Sequence, residues 1–390
     1  MHILFLSTWY PYPADNGSKL RILGLLEGLA SRHQVTLFSF AEKLPAGHPP
    51  LLHDLCQAVE VVERPAYRPN GGKAVVGLLS PTPRAVLDTW SAEMAAKIEA
   101  HCRTGRYDLV IASQWPMAAY WSHFANRPAL YEEVEPGTYQ SKIERATTPA
   151  GKIRHRLTLF KLQYYLRHQL AHFRACTVVS APEKALLQQL APQATIEIIP
   201  NGLKLAQYQA ITPPRQANTL IFTGSLTFNP NFEAMNWFIS QVYPLIQAKV
   251  GEVRLIITGN PGLRRLPPAG NITLTGHVED VRPLLASATV SLAPILQGGG
   301  TRLKILEAMA LRTPVVATTK GAEGLEVTNG HHLLLADTPQ DFANAVLSLL
   351  ESPGRSHQLS QNSYELLQSH YDSALILPRF LALTEKITTS

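Results

Sequence analysis

Short apolar runs alternate with helical stretches along nearly the whole chain. In the first half the runs fall at 2–7 (HILFLS), 34–39 (QVTLFS), 59–63, 108–113 (DLVIAS), 128–132, 176–180 (CTVVS) and 196–199. In the second half they fall at 219–223 (TLIFT), 253–258 (VRLIIT), 271–274, 289–293 (TVSLA), 314–317 (PVVA) and 332–335. Most are apolar almost without interruption, which predicts parallel strands covered on both faces. Between them the pattern predicts helices near 18–31, 91–104, 152–174, 231–249, 301–311, 339–350 and 356–369, with a last helix from Tyr371 to Lys386. Strand and helix in alternation predict an α/β chain built on doubly wound parallel sheets.

The rhythm breaks once. Residues 200–216 (PNGLKLAQYQAITPPRQ) contain Pro200-Asn201-Gly202 and Pro213-Pro214 and carry no strong period, and the strand-helix alternation restarts at Thr219. This predicts two domains, 1–205 and 217–370, with a cleft between them as the expected ligand site. A length of 390 residues agrees with two domains.

Composition narrows the class. Apolar residues make up 45 % and Asp, Glu, Lys and Arg only 16 %, which excludes disordered and coiled-coil chains. The 3 cysteines are widely spaced and form no C-x-x-C, so neither a disulfide framework nor a Cys-based zinc site is expected. No apolar run reaches the ~18 residues of a membrane span. The start, Met1-His2-Ile3-Leu4, has no basic region of the signal-peptide kind. The expectation is a cytoplasmic protein.

The densest chemistry lies at Gly298-Gly299-Gly300-Thr301-Arg302-Leu303-Lys304-Ile305-Leu306-Glu307, after a strand and at the opening of a helix. Glycines let a backbone approach a ligand closely, and the free N–H groups of a helix start suit an anion. Cations at a helix start are unfavourable by about 0.3–1 kcal/mol each. Arg302 and Lys304 break that rule together, and a bound diphosphate reverses the sign of the effect. Glu307, one turn on, is either an i,i+3 partner of Lys304 or an acceptor for ribose hydroxyls.

The stretch TRLKILEAMALRTPVVATTKGAEGLE resembles the donor-binding segment of retaining glycosyltransferases of family 4. Further similarities are IIPNG (198–202), FTGSL…NPN (222–231), ITGNP (257–261), TGHVEDVRPLLASATVSLAP (275–294) and the first forty residues. The resemblance implies the GT-B fold, two Rossmann-like doubly wound domains facing across a cleft, with helix 371–390 crossing back to the first domain. It implies a nucleotide-diphosphate sugar as donor substrate, with no further cofactor. The diphosphate site is implied at Gly298, Gly299, Gly300, Thr301 and Leu303, with Arg302 and Lys304 as the cations and Glu307 on the ribose. The nucleobase is implied at Gly276, His277 and Val278, and the first loop of the second domain at Gly224 and Ser225. Gly17 resembles the glycine facing the reacting sugar, with Ser18 and Gln114 on the acceptor side. Three positions depart from the family. Gly299 stands where a donor-sugar Glu is frequent, with Glu323 as a candidate substitute. Gly224-Ser225-Leu226 and Pro230-Asn231 stand where Arg and Lys are frequent, a charge Arg302 and Lys304 are expected to supply. Ser113-Gln114-Trp115 lacks a His.

No D-x-D is present, so protein cations rather than a divalent metal are expected to neutralise the leaving diphosphate. His331 and His332 are adjacent, and on a strand they would face opposite sides, so no metal site is expected. Two alternatives remain: a sugar-nucleotide epimerase on the same fold, or a non-catalytic nucleotide-sugar-binding protein.

The net charge of +6 lies in residues 1–190. Between 142 and 174, Lys142, Arg145, Lys152, Arg154, Arg156, Lys161, Arg167 and Arg174 are opposed only by Glu144. Leu159, Leu162, Leu166 and Leu170 form a helical stripe there. One reading is a core stripe with a solvated basic face. The other is a helix that meets an anionic membrane surface and lipid-linked or glycan acceptors, peripheral at the inner face. Nucleic acid is not expected as a partner, because the segment offers few solvent-side aromatics for base stacking.

Overall fold

The computed structural model describes residues 1–45, 47–65, 80–134, 148–298 and 302–389. Its contacts divide the chain into two units, Met1–Pro200 with Leu377–Ser390, and Asn201–Ile376.

The first unit is built on a seven-stranded sheet in the order β3-β2-β1-β4-β5-β6-β7. The strands are β1 His2–Ser7, β2 Gln34–Ala41, β3 Ala58–Glu63, β4 Leu109–Ser113, β5 Ala129–Glu132, β6 Ala175–Val178 and β7 Ile196–Ile198. All pairings are parallel, with Ile3 beside Val35 on one side and Leu109 on the other. Five of the six residues of β1 are buried, as a strand covered on both faces requires. The helix Gly17–Ala30 follows β1, and its cap is Asn16, whose side chain accepts from Lys19 N. The long helix Pro149–Leu170 precedes β6 and is capped by Thr148.

The second unit has a six-stranded parallel sheet, β10-β9-β8-β11-β12-β13. Its strands are β8 Thr219–Phe222, β9 Arg254–Thr258, β10 Ile272–Gly276, β11 Val290–Ala293, β12 Val315–Ala317 and β13 Leu334–Leu335. Residues 201–208 belong here and not to the first unit. Leu203 pairs with Asp372, and Leu203, Leu205 and Tyr208 are buried in its core. The predicted helix 231–249 is three pieces, Asn229–Trp237, a π-helical stretch Phe238–Val242, and Tyr243–Gln247. Pro244 has no N–H to give and its ring crowds the preceding turn, which the wider π turn accommodates.

His331 and His332 sit in a turn before β13 rather than on a strand, with their rings 4.6 Å apart. No cluster of three metal-ligating side chains is found among the described residues. No helix among them is long and apolar enough to cross a membrane. The last helix, Ser373–Thr389, runs from the second unit into the first. Leu377 packs against Gly28, Arg174 Nη1 donates to Ile387 O at 2.7 Å, and Arg379 Nη2 donates to Ile198 O at 3.1 Å.

Candidate functional site

In the second sheet the strand order reverses between β8 and β11, and the carboxyl ends of such strands are where open α/β sheets take ligands. The backbone there is shaped by close approach. Gly224, two residues past β8, has φ +133°, and a Cβ on it would lie 2.8 Å from Asn231 Nδ2 and 3.3 Å from Lys304 Nζ. A Cβ on Gly259, past β9, would overlap the Gly224 carbonyl, so both positions exclude side chains. Gly259 N donates to Gly276 O at 2.7 Å, which ties the end of β10 to the same place.

The helix Leu303–Ala310 opens beside this turn. Leu303, Ile305, Leu306, Ala308, Met309 and Ala310 are buried, so its inner face is fixed by packing. That leaves Lys304 and Glu307, three apart, on the other face. Lys304 Nζ donates to Asn231 Oδ1 at 3.0 Å and stands 3.9 Å from the centroid of the Phe222 ring. Asn231 Nδ2 in turn donates to Ser225 O at 2.9 Å. The ammonium is thus held at the switch point by an amide and an aromatic face. Burial, and then the Arg302 charge, lowers its pKa to about 7, with Glu307 opposing the shift.

Glu307 Oε1 accepts from Tyr208 Oη at 3.4 Å. Burial raises the carboxyl to about 7, against the pull of Tyr208, Lys304 and Arg282. Arg282 donates to both oxygens of Asp280, at 2.8 and 2.9 Å, and to Gln207 O at 2.7 Å, which fixes the segment carrying Tyr208. Arg302 immediately precedes the helix and does not lie within its first turn. It is buried, and its Nη2 donates to Gly298 O at 2.9 Å and Lys320 O at 3.1 Å. It braces Gly298 as well as adding charge. Gly298 itself has φ +97° and packs toward Pro230. Gly299, Gly300 and Thr301 lie outside the described residues.

The structure therefore brings Gly224, Ser225, Gly298, Arg302 and Lys304 to one end of one sheet, with Gly276 joined through Gly259. His277 is exposed, beside a half-buried Val278, just beyond. Glu323 is bonded to Lys320, so its carboxylate is already engaged.

In the first unit the order reverses between β1 and β4. Gly17 is the first residue of the helix after β1, with Ser18 beside it, both half-buried. Gln114 directly follows β4 at φ 66°, and Glu133 directly follows β5 at φ 55°. Such backbone costs about 1–3 kcal/mol per residue and clusters at functional sites. Gln114 Nε2 donates to Glu133 Oε2 at 2.7 Å. Beneath them Arg21 Nε meets Glu132 Oε1 at 2.6 Å, and Ser113 Oγ donates to Glu132 Oε2 at 2.6 Å. Burial alone would lower the Arg21 guanidinium, but Glu132 and Glu133 hold it above its ordinary value.

Sequence reasoning missed Arg21, Glu132, Glu133, Tyr208 and the role of Asn231. One signal was available: paired carboxylates ending an apolar strand, ALYEE, need a buried cation.

Two family models match. Residues 16–207 match Glycosyltransferase Family 4 and residues 217–352 match Glycosyl transferases group 1. An uncharacterised 44.6 kDa protein in the cps region of Klebsiella pneumoniae is 22 % identical over 399 residues, covering 95 % of this chain and 96 % of the relative. The phosphatidyl-myo-inositol mannosyltransferase of Mycobacterium leprae is 26 % identical over 205 residues, 49 % of this chain and 54 % of that protein. Sucrose-phosphate synthase from Thermosynechococcus elongatus superposes with a TM-score of 0.71 at 19 % identity, covering 100 % of both chains. Anabaena HepE, solved with UDP and glucose, superposes with a TM-score of 0.65 at 17 % identity, covering 99 % of this chain and 100 % of that one.

Proposed function

We propose that this chain, which belongs to glycosyltransferase family 4 and has the GT-B fold, transfers a hexosyl or related sugar with retention from a nucleotide-diphosphate donor to an acceptor hydroxyl. The reaction is metal-independent and serves polysaccharide, glycolipid or lipid-linked glycan synthesis, at the inner face of a membrane. The observation that carries the reading is the half-buried Lys304 ammonium, held at the strand ends beside Gly224.

In this reading Lys304 and Arg302 take the diphosphate, together with backbone groups at Gly298, Gly299, Gly300 and Thr301. Leu303 anchors the helix from the core side. Glu307 takes the ribose, and its bond to Tyr208 sets the direction of the carboxyl. Gly224 and Ser225 leave room for the phosphates, and Gly276, His277 and Val278 hold the base. Gly17 serves the reacting sugar, with Ser18 and Gln114 on the acceptor side. Glu323 reaches donor hydroxyls only after leaving Lys320. Charge stabilisation of the leaving diphosphate by fixed cations lowers the barrier without a proton donor from the protein. The leaving phosphate accepts the proton of the incoming hydroxyl on the same face of the sugar. The structures of HepE with UDP and with UDP-glucose support a nucleotide-sugar donor. The mycobacterial relative, a phosphatidyl-myo-inositol mannosyltransferase, supports a lipid acceptor.

The test is a thermal-unfolding panel of nucleotides and nucleotide sugars, followed by transfer assays with the donor that binds. A true ligand at 100-fold its Kd adds about 2.7 kcal/mol of stability. Arg302→Ala is expected to lower both nucleotide affinity and turnover. Unchanged values would remove the site assignment. An epimer formed from donor alone would replace the transferase reading with an isomerase. Tight binding with no transfer would leave a binding protein.

A further inference from the structure

The helix Pro149–Leu170 has two apolar faces. Leu162, Leu166 and Leu170 are buried in the first unit's core, as their spacing predicts. Four other apolar side chains are turned outward: Ile153 is 68 % exposed, Leu157 43 %, Phe160 66 % and Tyr164 49 %. Their spacing of four, three and four residues places them on a single stripe, within about 60° of helix rotation at about 100° per residue. Scattered exposed apolar residues are ordinary, but a continuous row is not. Phe160 and Tyr164 also correct the expectation of few solvent-side aromatics in this segment.

The charges around the row are ordered. At the same rotation per residue, Lys152, Arg156 and Arg167 border the stripe on one side and Arg154 and Lys161 on the other. No Asp or Glu occurs between residues 148 and 174. A row of apolar side chains with cations along both borders matches the boundary of an anionic bilayer. There the apolar groups enter the acyl region and the long cationic side chains reach back to phosphates. A cationic partner would meet like charge along both borders of the stripe.

We propose that the helix Pro149–Leu170 lies in the plane of an anionic lipid surface, with Ile153, Leu157, Phe160 and Tyr164 inserted and Lys152, Arg154, Arg156, Lys161 and Arg167 on the headgroups. This rests on the membrane part of the function above and names the side chains that carry it. Insertion, rather than charge alone, holds the protein there, so binding persists when salt screens the headgroups.

The test uses the full chain and sedimentation with vesicles of phosphatidylcholine alone, or of phosphatidylcholine with about one-third phosphatidylglycerol. The wild type is expected to sediment with the anionic vesicles and to remain partly bound at high salt. Ile153→Glu with Phe160→Glu is expected to weaken binding at least about tenfold, since each charge must enter the acyl boundary. Both side chains are exposed, so the thermal unfolding midpoint stays unchanged. In a second variant, Phe160→Trp, the emission gained over the wild type is expected to shift to the blue on anionic vesicles. A wild type that ignores anionic vesicles, a double variant that binds like the wild type, or a Phe160→Trp variant whose added emission does not move overturns the proposal. So does a dimer that the Glu substitutions dissolve without any vesicle binding, which assigns the stripe to a second copy. None of these readouts involves sugar transfer, so failure of the transferase reading is seen separately.

Discussion

Lys304→Met removes an ammonium and keeps most of the side chain's length. In the wild type, burial foremost lowers this lysine from 10.5 to about 7. That difference corresponds to at most about 5 kcal/mol, at about 1.4 kcal/mol per tenfold change. Below pH 7 both folded and unfolded chains carry the proton, and the full cost of burying the cation is present. Between pH 7 and 10.5 the unfolded chain holds a proton that the folded one has lost. Wild-type stability therefore rises with pH across that window. A diphosphate beside Nζ restores the charge, so nucleotide binding must take up a proton. Above pH 7 each further pH unit leaves about one-tenth as much free protein with the ammonium, and nucleoside diphosphate affinity falls by about tenfold per unit. Titration calorimetry of UDP and GDP from about pH 7 to 9, in two buffers of different ionisation enthalpy, measures both effects. Uptake is expected to approach one proton per nucleotide above about pH 8. Lys304→Met is expected to bind more weakly at pH 7, to show no uptake, and to be the more stable protein at about pH 6 without ligand. A wild-type affinity that is flat with pH, or a methionine variant that still takes up the proton, refutes the reasoning.

Glu307→Gln probes the opposite sign. The carboxyl is raised to about 7, so between pH 4.5 and 7 the folded chain keeps a proton that the unfolded chain releases, and wild-type stability falls as pH rises through that range. Urea titrations of the glutamine variant should lack this slope, and a slope that survives would place the titration elsewhere. Arg21→Ala strands Glu132 and Glu133 in the core without their guanidinium and is expected to cost about 3–5 kcal/mol in urea unfolding. A loss under about 1 kcal/mol would show that the pair is dispensable. Gly224→Ala puts a methyl against Asn231 and Lys304 at φ +133°. It should cost about 1–3 kcal/mol and weaken nucleotide binding. Wild-type affinity in this variant would disconnect the turn from the site.

The strands were legible because each buried strand is an almost unbroken apolar run, and every predicted run from 2–7 to 332–335 overlaps an observed strand. The short helices Pro50–Leu55, Arg84–Thr89, Gln114–Ala118, Ala181–Leu190 and Arg282–Ser287 were not legible. Most are too short to show a helical period. The glycine loop and its two cations stood out because their types conflict with helix electrostatics. The partners that orient them did not. Lys304 meets Asn231 across 73 positions, Glu307 meets Tyr208 across 99, and Arg21 meets Glu132 across 111. Local pattern carries no record of such pairs. The helix Pro149–Leu170 shows a subtler limit. Its sequence holds two apolar stripes, and periodicity alone does not say which one faces the core.

The route of the helix Ser373–Thr389 has a consequence for how the molecule is made. Leu377, Arg379 and Ile387 pack on Gly28, Ile198 and Arg174, so the body that carries β1 is closed by a segment made only after the second body. The second body is in effect an insertion, threaded in at Pro200 and out at Ile376. A gene cut after the linker would yield a first half with an uncovered flank, whereas excising 201–376 removes a self-contained piece. Chimeras that exchange donor modules between relatives should therefore respect both crossings rather than one.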